Sequence, residues 1–156
     1  MHSHLAGSGI VLLFLVACAP PHSTSSTSTV QCTDATAAHH AYVVVQHLSG
    51  AWFARCVGFA NATIDGQTVM DRSAIEYKAE PVASGKVVCQ VDFEPKQYSQ
   101  CFPQNQPYWA LFVESGAKWS NASGGFTDVS LRDGEALGWH YVSAADPAPA
   151  PPPLPN

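Results

Sequence analysis

From Ile75 to Glu80 apolar and polar residues alternate strictly, with Ile75, Tyr77 and Ala79 on one side and Glu76, Lys78 and Glu80 on the other. A period of two places successive side chains on opposite faces of a strand, so this stretch predicts a half-exposed one. The same period predicts a strand over 87–93, with Val87, Cys89, Val91 and Phe93 on one face and Val88, Gln90 and Asp92 on the other. Tyr42-Val-Val-Val45 is β-branched and opens the domain as a strand. Tyr108-Trp-Ala-Leu-Phe-Val113 is apolar at every position, which predicts a central strand covered on both sides. Short strands are expected around Trp119, Val129–Leu131 and Trp139–Tyr141, separated by the Ser123-Gly-Gly125 and Asp133-Gly134 turns. One stretch has a different period. Asp65 can cap a helix on which Val69, Met70 and Ala74 share a face, and the spacing predicts about three turns between two strands. Several strands and one early helix make an α+β domain, with the helix covering one face of the sheet.

The two ends read differently. Ile10-Val-Leu-Leu-Phe-Leu-Val-Ala17 is too short to span a bilayer but suits the apolar centre of an export signal. It runs into Leu15-Val-Ala-Cys18, which resembles the bacterial lipobox, so Cys18 is expected to be acylated and to anchor the chain on the outer face of the cell membrane. The opening Met1-His-Ser-His carries no Lys or Arg, a departure from that pattern. Residues 19–30 are nearly all Ser, Thr and Pro and form a tether; residues 144–156 are Pro-rich and form an extended, disordered tail. Residues 31–143 are the folded unit.

Charge and cysteine count narrow the picture. Twelve acids against seven bases leave a net charge of -5, with no basic surplus for a nucleic-acid backbone. With Cys18 assigned to lipid, Cys32, Cys56, Cys89 and Cys101 remain, an even number in an exported chain. Four cysteines allow three pairings, and Cys32–Cys56 with Cys89–Cys101 closes short local loops. No C-x-x-C spacing favours zinc, and no metal site is assigned.

Seven aromatic rings are conspicuous: Trp52, Phe53, Trp109, Trp119, Phe126, Trp139 and Tyr141. Trp109 and Trp139 lie within strands and are expected in the core. Trp52 beside Gly50 and Trp119 beside a Gly-rich turn are the ones expected nearest the surface, and with Phe126 and Tyr108 they form the candidate ligand-binding set. His39, His40 and His47 near the first strand, with His140 in the last, could hold a metal or a corrinoid; a solvated loop is the plainer reading, and His39 and His40 cannot point the same way along a strand. Asp92 and Glu94 share a face if their strand continues. No G-x-S-x-G, H-E-x-x-H or catalytic-cysteine context occurs, so the chain does not read as an enzyme.

Four segments in order, Thr68-Val-Met-Asp-Arg72, Val87-Val-Cys-Gln-Val-Asp92, Pro107-Tyr-Trp-Ala-Leu-Phe-Val113 and Asp133-Gly-Glu-Ala-Leu-Gly-Trp-His-Tyr141, resemble the transcobalamin C-terminal-like family, also known as DUF4430. The likeness covers most of residues 40–142 and is nearest the exported actinobacterial branch, in which a Cys-x-Ile-Asp-like strand precedes a second cysteine. It implies a β-grasp-like fold, a mixed sheet embracing one helix, and independently favours the Cys89–Cys101 pairing. It also implies cobalamin or a related ligand, although the helical barrel that holds half of that ligand in the vitamin carriers is absent here. Two functions follow as expectations. One is a non-catalytic envelope lipoprotein binding a small molecule, with no resident cofactor; the alternative is an envelope protein–protein adaptor without one.

Overall fold

The structure is a computed structural model and describes residues 30–83, 85–146 and 148–155. The expected lipid site Cys18 and almost all of the expected tether lie outside the described residues.

The chain first makes a hairpin. β1 (Cys32–Thr33) is a two-residue strand; β2 (His39–Gln46) and β3 (Trp52–Phe59) then pair antiparallel from His39↔Phe59 to Gln46↔Trp52. Gly50, at φ 85°, turns the corner in a conformation that side chains disfavour. β4 (Ile64–Asp65) leads into α1 (Gly66–Arg72), and β5 (Tyr77–Val82) and β6 (Gly85–Val91) form a ribbon. β7 (Tyr108–Ser115) and β8 (Lys118–Asn121) make the second main hairpin. A 3-10 turn (Phe126–Asp128) and β9 (Ser130–Leu131) precede the last strand, β10 (Ala136–Val142).

β10 lies between the two main hairpins. It runs parallel to β2 and antiparallel to β7, which gives a six-stranded mixed sheet in the order β1-β3-β2-β10-β7-β8. A hairpin, a helix, a second hairpin and a last strand placed parallel beside the first make an α+β, β-grasp-like fold. Both expected disulfides are formed. Cys32–Cys56 ties β1 to its parallel partner β3, and Cys89–Cys101 closes the loop that follows β6.

The helix starts where its cap predicts: an Asp65 carboxylate oxygen accepts from the Thr68 N–H at 2.9 Å, satisfying a donor that the helix itself leaves free. These hydrogen bonds hold the Asp65 carboxyl below its usual range. The expected three turns are a correction: α1 ends after seven residues, and Ala74, at φ 59°, turns the chain away, so only Val69 and Met70 face inward. Gly66 is required here, because a Cβ would stand 2.0 Å from the Phe126 carbonyl oxygen. That contact brings the 3-10 turn under the helix, and Phe126 fills the space with Trp139 and Tyr77 edge-on.

The core lies between α1 and the inner face of the sheet. Ala41, Val43 and Val45 from β2, Leu137, Trp139 and Tyr141 from β10, and Trp109 from β7 all point there. Burying each large apolar chain contributes roughly 1.5–3 kcal/mol. The alternation expected for 87–93 breaks. Ala79 pairs with Val88 and Lys78 with Gln90, so Cys89 is an extra residue in a β-bulge. Beyond the bulge the faces exchange: Val88 and Val91 enter the core together, and Phe93 is exposed.

Candidate functional site

Among the described residues the opposite face of the sheet carries no helix, yet it is covered. Register sets its side chains in rows: Ala54, Val44, Gly138 and Phe112 lie side by side, and Tyr42, Ala136 and Glu114 form the next row. Val44, Ala136, Ala110, Phe112 and Val142 are all buried. Side chains are small in the middle of this face. Trp119, paired with Glu114 from edge strand β8, lays its ring into that depression. A Cβ on Gly138 would stand 2.6 Å from the Trp119 ring and 2.9 Å from Cγ of Pro152, so glycine is what lets both approach the backbone.

Pro152 belongs to the C-terminal tail. Residues 148–155, the described part of the tail expected to be extended and disordered, join no strand or helix, in keeping with their prolines, and lie against the domain. Pro152 is buried, and His140 donates from Nδ1 to the Ala150 carbonyl at 2.6 Å. The tail turns back over the outer face and crosses the rows at His140 and then Gly138. Trp119 Nε1 beneath this cover is buried and has no hydrogen-bond partner among the described residues.

Three of the four candidate aromatics meet this face by register: Trp52 and Tyr108, as neighbours of Gln46 and Val142, and Trp119. Trp52 is 42% exposed at the β3 end. Tyr108 is half-buried with Phe102 edge-on at 5.3 Å. Phe126 does not join them. It is 1% exposed in the core, because the turn after Gly125 tightens into a 3-10 turn that directs its ring beneath α1. Trp109 and Trp139 are buried as expected.

A polar constellation that sequence reading did not assemble lies at the far end of β2. His47 faces Glu94 through Nδ1 at 2.7 Å and Asp92 through Nε2 at 3.1 Å. The β6 strand stops at Val91, and Asp92 and Phe93 both take positive φ, at 45° and 62°, a strained pair for residues with side chains. The Asp92 N–H donates to the Glu76 carbonyl, and Trp109 Nε1 donates to the Glu94 carbonyl at 3.0 Å, which holds the turn. Tyr141 sits nearby with its phenol pushed up by burial and then by the Glu94 charge. Each ring nitrogen of His47 thus faces a carboxylate oxygen. The cluster acts as a clamp between two turns.

The other histidines are dispersed. His39 stacks near Phe59 at 5.5 Å on the inner face, and His40 points to the other face, as the alternation requires. Sulfur, imidazole and carboxylate atoms do gather in two groups, Cys32/His40/Cys56 and Glu80/Cys89/Cys101. In each group both sulfurs are joined in a disulfide, so neither offers a thiolate to a metal. A cavity of about 40 Å³ lined by Pro95, Tyr98, Cys101, Tyr108, Trp109 and Tyr141 has room for about one water. Ligand pockets for organic cofactors run to roughly 300–1,000 Å³.

No family model matches the chain, and no curated protein matches it. A crystal structure titled a "putative metal binding protein" from Ruminococcus gnavus ATCC 29149 is similar, with a TM-score of 0.49 and 15% identity over 67% of this chain and 97% of that chain. A likeness this slight carries no functional argument.

Proposed function

We propose that this chain is a non-catalytic envelope lipoprotein, anchored through Cys18, whose domain captures an extended protein segment on the outer face of its sheet. The observation that carries this reading is the covered outer face itself: small residues form its floor, aromatic rings stand at its margin, and a stretch of extended chain already lies across it. Two disulfides support an address outside the cytoplasm.

A small-molecule ligand such as a corrinoid draws less support. Phe126 has left the aromatic set, and the described cavity beside Tyr108 measures about 40 Å³. The test has two arms. Crosslinking in intact cells followed by affinity capture should recover an envelope protein. Titration with cobalamin, cobinamide and haem should leave tryptophan fluorescence without a saturable change; saturation by any of them would replace the adaptor reading with the small-molecule one.

A further inference from the structure

The tail on the outer face is an unusual kind of cover. Pro149, Pro151, Pro152, Pro153 and Pro155 each lack an N–H, and each holds its own φ near the polyproline value. Residues preceding a proline are pushed toward the same extended region. Such a segment arrives already stiff, and it can add nothing to a sheet by backbone donation. What holds it here is one buried ring, Pro152 beside Trp119 over Gly138, and one described hydrogen bond to the sheet, from His140 to Ala150.

These are the elements by which extended proline-rich peptides are recognised elsewhere: an aromatic wall, a shallow slot for a proline ring, and a side-chain donor to a carbonyl. The described tail uses them incompletely. Trp119 Nε1 is a buried donor that no carbonyl of the described tail residues meets, although a buried indole N–H normally finds a partner. Trp52, on the same face, remains 42% exposed.

Resting on the reading of the outer face as a capture surface, we infer that its ligand is a proline-rich segment of a partner protein in the polyproline II conformation. The chain's own tail occupies the site in cis as a displaceable strap. A partner segment whose carbonyl reaches Trp119 Nε1, and whose length reaches Trp52, makes contacts that the strap does not. The strap in turn sets a threshold, because a tethered competitor sits at an effective concentration of order mM and lowers the apparent affinity for any free ligand.

The test uses the full chain, a synthetic peptide copying residues 146–156, and a Gly/Ser peptide of equal length, with binding followed by tryptophan fluorescence and calorimetry. Pro152→Asp should release the strap, and the proline peptide should then bind at least tenfold tighter than it binds the unmodified protein. Adding Trp119→Ala should reverse that gain, and the Gly/Ser peptide should not bind in any background. Should Pro152→Asp compromise folding, Pro152→Ser provides the same comparison. Equal affinity for the released and unmodified proteins overturns the strap. No proline-peptide binding by a released protein that unfolds cooperatively overturns the ligand class; if that protein still captures an envelope partner, the broader adaptor reading stands. A concentration-dependent dimer that Pro152→Asp abolishes overturns the cis arrangement in favour of tails exchanged between copies.

Discussion

The two faces of the sheet are built from alternate residues of the same strands, and they differ in size and in cover. Inward from β2 and β10 point Val43, Val45, Leu137, Trp139 and Tyr141; outward point Val44, Ala136 and Gly138, with Ala54 and Ala110 alongside. The inner face meets a helix through interdigitating large side chains, including a Trp139 indole directed at the Met70 sulfur at 3.3 Å. The outer face meets one indole ring and a run of prolines. The inner one is covered by a helix with its own internal hydrogen bonds, the outer one by a segment in no strand or helix. The parity of a strand thus decides which side chains meet the helix and which meet the tail.

Phe126→Ala breaks the inner side most severely. A fully buried ring flanked by Trp139 and Tyr77 is lost, and urea unfolding should register about 3–5 kcal/mol. On the outer side the strongest tie is covalent. Replacing Cys32 and Cys56 together with serine frees a loop of 24 residues, and the chain-entropy model puts the loss at about 3 kcal/mol in the same assay. Asp65→Ala removes the helix cap from the inner cover and should cost about 1 kcal/mol. Because folding lowers the Asp65 carboxyl from its ordinary 3.8, the stability it gives is present above that value and is lost as pH falls below it. The mutant should therefore show a flatter acid limb.

Tyr77 gives the inner side a matching alkaline signature. Burial, and then the Asp71 carboxylate that its hydroxyl donates to, push its phenol up to about 12 from 10.0. The protonated form is favoured by folding, so its contribution is whole below pH 10 and is lost as pH rises from there toward 12. Tyr77→Phe should abolish that part of the limb, as read by circular dichroism across the range. The smallest effect belongs to the outer cover. Pro152→Asp should move the unfolding free energy by less than about 1 kcal/mol while it alters tryptophan emission. A loss as large as that of Phe126→Ala would erase the distinction between the faces.

Much of the fold was legible in the sequence because its signals are local. The Asp65 cap acts within three residues, the strand period within two, and the cysteine loops are short enough for proximity to select the pairing. The bulge at Cys89 was not legible, because a single inserted residue reverses every later face and leaves no compositional mark. The His47 clamp joins residues 45 and 47 positions apart, across a turn whose positive φ values fall on Asp and Phe rather than glycine. Trp52, Trp119 and Tyr108 belonged to the candidate ligand-binding set, but that they share one face follows from register, which long-range pairing decides. The tail's prolines argued correctly against ladders and helices; they are silent on a shallow slot created by the missing side chain of Gly138.

The parallel placing of β10 beside β2 has a mechanical side. A pull on the chain ahead of Cys32 passes through the disulfide to Cys56, which shares its row with Tyr42 and Ala136, while a pull on the tail is applied beyond Val142 at the other end of β10. Tension then runs along the strands, so the ladder bonds between β2 and β10, which lie between the two points of pull, are loaded in shear and share the force instead of opening one after another. Residues 33–55, enclosed by the crosslink, cannot pay out as slack.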